Sequence, residues 1–135
     1  MRFIAIGIVA VTAGLAIASN SSAHHSFAAQ FDRDQQVEFS GTVTKVEWTN
    51  PHARFYVDGT DPDMVSGEVI NWNIEMVSAS VLMRQGWRHD TLKVGDIVTV
   101  TATRARKDPH VVNGSTVTRD TGEALFRRTP DQLNQ

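Results

Sequence analysis

Apolar residues alternating at period two, one short helical-period segment between the third and fourth such runs, and a parity slip inside the first run predict a mainly β fold. The class expected is a small OB-like barrel of five to six strands, with one short helix between strands 3 and 4 and a signal peptide in front. An SH3-like or other six-stranded barrel is the alternative, and the position of the helix favours the OB-like order.

The first element is a leader. Met1-Arg2 gives a positive start, Phe3 to Ala18 is apolar or small apart from Thr12, and Ser19 to Ala23 is polar with a small last residue. This is the layout of a cleaved export signal. The apolar run is shorter than the roughly 20 residues a spanning helix needs, so no stable membrane span is expected after processing. Cleavage after Ala23 makes His24 the mature N-terminus, while Ala16-Ile17-Ala18 offers a second site that would leave Ser19 first. The chain therefore divides into a signal peptide (1–23), an N-terminal arm (24–36), an OB-like barrel (37–126) and a flexible C-terminal tail (127–135).

In the arm, Phe27 and Phe31 are expected to dock on the barrel. Val37, Phe39, Gly41 and Val43 alternate with polar residues, and the parity then shifts to Val46 and Trp48. A slip near Lys45 predicts a β-bulge that bends a long first strand. Asn50-Pro51 turns the chain into Ala53, Phe55 and Val57, which run into a turn-forming loop from Asp58 to Asp63. In the third strand Ile70, Trp72, Ile74 and Met76 face one way, and Asn71, Asn73 and Glu75 the other. Ser78 caps a short helix carrying Val81 and Leu82, closed by Gly86. A fourth strand spans Ile97 to Ala105 and a fifth Val111 to Thr118; Ala124 to Phe126 is a short sixth.

The 135 residues carry a formal net charge of −2, and loss of the leader removes Arg2 and no acid. A weakly acidic exported domain is a poor partner for nucleic acid or anionic lipid. The absence of cysteine excludes disulfides and thiolate metal sites. His24-His25-Ser26-Phe27, Gly41-Thr42-Val43, Trp48-Thr49-Asn50-Pro51-His52 and Leu92-Lys93-Val94-Gly95-Asp96 together resemble the DUF6152 family of small exported bacterial proteins. The resemblance implies a localisation and a fold but no activity.

Four histidines carry the metal-binding expectation. A freed His24 offers its α-amine and ring to one ion, with a second imidazole completing a T-shaped set. Alternatively, the amine, the His25 amide and the His25 ring form a tridentate plane. Either nitrogen-rich planar set selects Cu(II) over zinc, and the amine must lose its proton to bind. His52, stiffened by Pro51, is the expected partner, although a turn-capping histidine is its plainer reading. His110, in Asp108-Pro109-His110, echoes that turn and is a further candidate, whereas His89 reads as solvated. Trp48 and Tyr56 lie off the apolar parity and are candidate ligand-stacking residues; Trp72 reads as core.

Asp58, Asp61 and Asp63 lack the glycine and bidentate glutamate of a calcium loop and read as turn chemistry. Arg104, Arg106 and Lys107 read as a solvated strand edge. No nucleophile elbow, HExxH, phosphate loop or cysteine points to an enzyme. The expected protein is a monomeric periplasmic or secreted binding module for Cu(II), or else a metal-free adaptor for a small ligand or periplasmic protein.

Overall fold

The computed structural model describes residues 27–129 and residue 132. The expected leader, its expected cleavage point, His24 and His25 lie outside the described residues. Among those described, no helix is long and apolar enough to cross a membrane.

Among the described residues six strands form, in order β1 (Phe31–Glu47), β2 (Arg54–Thr60), β3 (Val69–Glu75), β4 (Ile97–Ala105), β5 (Val111–Arg119) and β6 (Ala124–Arg127), with a helix, α1 (Ala79–Arg84), between β3 and β4. Hydrogen-bonded neighbours run β3-β2-β1-β4-β5-β6, and a parallel pairing of β3 with β5 closes the ring. The circuit β1-β2-β3-β5-β4 with a helix after β3 is an OB-like barrel. β6 pairs with β5 outside that circuit.

One long strand makes the closure possible. The first half of β1 pairs with β4, from Phe31↔Ala105 to Thr42↔Ile97, and its second half pairs with β2, from Gly41↔Gly59 to Glu47↔Arg54. The register slips between Val43 and Lys45, at the expected bulge, which bends the strand between its two partners. Gly41 sits where β2 and β4 both approach, and a Cβ there would collide with the Asp58 carbonyl.

β1 starts inside the stretch assigned to the N-terminal arm. Phe31 is buried and pairs with Ala105, while the register shift before Gln36 takes up a half-buried Asp32 and the exposed Arg33 to Gln35. The Arg106 amide donates to the Gln30 carbonyl at 2.9 Å, carrying the attachment one residue further back. Phe27 packs on Phe31 with ring centroids 5.1 Å apart, so both phenylalanines dock as expected.

The inward parity of each strand fills the barrel. Val43, Phe55, Val57, Trp72, Ile74, Val98, Val100, Val112 and Val117 are all essentially inaccessible. Each large apolar side chain taken from water contributes about 1.5–3 kcal/mol. Phe39 stacks on Trp72 at 4.0 Å and 10°. The Trp72 indole N–H has no partner among the described residues, a cost of about 1–3 kcal/mol that its packing must outweigh. Ser78 Oγ accepts from the Val81 amide at 3.2 Å, Gly86 ends the turn at φ +94°, and Leu82 faces the core.

The tail is fixed further than expected. Arg127 belongs to β6, the Arg128 amide donates to the Ser115 carbonyl, and Arg128 Nε donates to the Gly114 carbonyl at 2.7 Å. The β5 edge supplies acceptors that a polar sequence alone does not reveal.

Candidate functional site

His52 is held by a loop tied to α1. Asn50 Oδ1 accepts from the Ser80 amide and hydroxyl, both at 3.3 Å, and the Ala79 amide donates to the Thr49 carbonyl. The Asn50–Pro51 peptide is cis. Beyond the loop, Ala53 exchanges hydrogen bonds with Val77 and Met76. This frame sets His52 Nδ1 3.2 Å from the Met76 carbonyl oxygen.

A carbonyl can only accept, so Nδ1 carries the proton in the neutral ring and Nε2 keeps its lone pair. No described residue hydrogen-bonds Nε2. Glu75 Oε1 lies 3.8 Å from Nδ1, on the same side of the ring. A histidine whose other nitrogen is oriented by a carbonyl or carboxylate is the usual form of a metal-ligating imidazole. The Glu75 side chain is buried, and its second oxygen is taken by Arg54, which also donates to Asn73 Oδ1 at 3.2 Å. Register accounts for this network: Arg54 faces Glu47 on β1 and Glu75 on β3, so the guanidinium stands between the two carboxylates.

His52 and Glu75 line a cleft of about 410 Å³ that also holds Phe27, Asn113 and Arg128. The N-terminal segment and the Pro51-His52 turn therefore share one cavity. Burial lowers the Arg128 pKa, and the charge of Glu75 partly opposes that shift.

His110 is placed elsewhere. Its Nε2 lies 3.6 Å from Asp61 Oδ2, and its ring meets Trp72 edge-on at 5.3 Å. His52 and His110 share no partner, and no group of three metal-ligating side chains is found among the described residues. Tyr56 is half-buried, donating to Glu47 Oε2 at 3.3 Å under the Lys45 ammonium, and Trp48 packs against the core. Neither lines the cleft with His52.

The reading of Arg104 as a solvated edge is overturned. Arg104 is only 6% exposed; it donates to both oxygens of Asp61 (2.7 and 3.0 Å), to Asp63 at 2.7 Å and to the Pro109 carbonyl. Its guanidinium also lies 5.2 Å from the Trp72 ring centre. Arg104 shares the even parity of Val98, Val100 and Ala102, which was the available signal that it points inward. Asp61 does cap its turn, accepting from the Asp63 amide at 3.0 Å, but it is chiefly the buried counter-ion of Arg104. The hydrogen bonds from Arg104 hold the Asp61 carboxyl below the ordinary range, and Asp61 in turn raises Arg104. Arg106 and Lys107 are exposed, as expected.

A family of unknown function, DUF6152, matches residues 13–113, and the chain belongs to it. No curated protein matches it in sequence. Among solved structures it is similar to a crystal structure of the mitochondrial single-stranded DNA-binding protein Rim1 from S. cerevisiae. The two share 11% identity at a TM-score of 0.45, over 73% of this chain and 98% of that one.

Proposed function

We propose that this member of the DUF6152 family is an exported binding module that takes up Cu(II) through the freed amine and ring of His24 together with Nε2 of His52. The observation that carries the reading is the His52 ring itself: Nδ1 is committed to the Met76 carbonyl, Glu75 backs it, and Nε2 is left available beside a cleft. Phe27 lines that same cleft. His24 precedes Phe27 by three residues, a reach of at most about 11 Å along the chain. His25 supplies either the alternative planar chelate or a supporting ring, while His110, committed to Asp61 and Trp72, is the weaker candidate. Three nitrogens in a plane suit Cu(II), and the role is uptake and delivery in the periplasm rather than catalysis.

Isothermal titration of the processed protein with Cu(II) tests the reading. One tight equivalent is expected, lost in His24→Ala and in His52→Ala, together with an exported mass that begins at His24. A product beginning at Ser19, or uptake unchanged in both variants, overturns it.

The cleft also favours a second reading, a metal-free carrier of a small molecule, since about 410 Å³ with mixed apolar and polar walls suits such a ligand. In that case His24→Ala has no effect on ligand uptake, and substitutions deeper in the cleft do.

A further inference from the structure

The buried polar groups of the cleft are not all used by the histidine network. Asn113 is 6% exposed, yet its side-chain amide makes no hydrogen bond among the described residues. It lines the 410 Å³ cleft and also a neighbouring one of about 180 Å³, and Arg128 lines both as well. Among the described residues only the Trp72 indole N–H is both sealed from solvent and unpartnered, so the Asn113 amide opens onto the cavity, where a ligand can complete its bonding.

The same wall carries charge. Arg128 spends Nε on the Gly114 carbonyl and makes only a long 3.5 Å contact from Nη1 to the Gln132 carbonyl. Both acceptors are neutral, and among the described residues Arg128 forms no ion pair. Glu75, which register sets opposite Asn113, lines the larger cleft with Arg128 but is already bound by Arg54. Arg33 stands at the smaller cleft. Arg33 and Arg128 thus stand on the wall of the smaller cleft with no acid among its described lining residues, on a chain whose net charge is −2.

We infer that Asn113 and Arg128, at the wall shared by the two clefts, form an oxyanion subsite that binds the carboxylate or phosphate group of a small molecule. The guanidinium presents Nη donors with the fork spacing an oxyanion accepts, and the Asn113 amide supplies a further N–H. Cavity size limits the ligand to a small metabolite-sized anion. The subsite needs no metal and stands whether or not copper binds at His52.

The test uses ¹⁵N-labelled protein isolated after expression of the full 135-residue chain, stripped with a chelator, and titrated separately with acetate and with inorganic phosphate. The Arg128 Nε–H resonance is expected to shift saturably, and the tighter of the two arms identifies the group recognised. Arg128→Lys and Asn113→Asp should each weaken uptake by about tenfold or more. Asn113→Asp keeps the side-chain shape and leaves the Gly114 contact in place, so it remains informative if Arg128→Lys folds poorly. No saturable shift in either arm, or equal shifts in wild type and both variants, overturns the inference.

Discussion

His52 and His110 each follow a proline, and each stands within 4.0 Å of a buried carboxylate already held by an arginine: Glu75 with Arg54, and Asp61 with Arg104. The parts are alike and the outcomes differ. At Asp61 the arginine is enclosed, with acceptors from two carboxylates and a carbonyl, and an indole face beside it. The His110 ring spends its edge on Trp72. At Glu75 the arginine side chain is 29% exposed, the histidine side chain 50% exposed, and the ring borders a cavity. The Asp61 cluster ties the β2–β3 loop to β4 and the β4–β5 turn. The Glu75 cluster orients one imidazole and leaves it a vacant lone pair. A proline-histidine turn with a buried acid is therefore not itself a site; what decides is whether the ring's outer nitrogen is already engaged.

The largest test of that contrast is stability. Arg104→Ala strands Asp61 in the interior and should cost about 3–5 kcal/mol in urea unfolding. Arg54→Ala strands Glu75, which is as buried as Asp61 but borders the cleft, and should cost the smaller amount of about 1–3 kcal/mol. Equal losses would break the distinction between the two clusters. Next comes the metal: Glu75→Gln should weaken Cu(II) uptake about 10- to 100-fold by loosening the His52 ring, whereas Asp61→Asn should leave it unchanged in the same titration.

Acid sharpens the comparison further. The native Asp61 carboxyl is held below its usual value, first by the Arg104 hydrogen bonds, so its stabilisation is fully present above the unfolded value of about 4. It is lost as pH falls from there through the depressed native value. Unfolding midpoints measured from neutral pH downward should show this decline in wild type and a weaker one in Asp61→Asn. The smallest effect expected is on the rings themselves. His110→Asn should cost about 0.5–1.5 kcal/mol through the lost edge contact with Trp72 and leave Cu(II) uptake intact, while His52→Asn should barely alter stability.

The parts that local pattern governs were legible in the sequence. The slip after Val43, the Ser78 cap, the Gly86 stop and the bounds of β4 all follow from residues within a few positions of one another. The parts that depend on distant partners were not. Arg104 meets Asp61 across 43 positions, and only its parity with Val98 and Val100 hinted at an inward course. Glu75 falls on the polar parity of β3, yet it is buried because β5 and the His52 loop cover that side. Arg128 looked like loose tail because its acceptor, the Gly114 carbonyl, is invisible in a linear reading. Among the candidate residues, His52 was singled out by its proline, whereas Asn113 carried no signal at all.

The parallel contact that closes the ring has only three rungs: Asn73 with Val111, Ile74 with Val112, and Glu75 with Asn113. Its last rung is also part of the cleft wall. A guest lodged between those two side chains would act as a latch on the barrel's shortest zip. Loading and loosening are thus tied together, and solvent exchange of the amides along Val111 to Asn113 becomes the natural gauge of an occupied cleft.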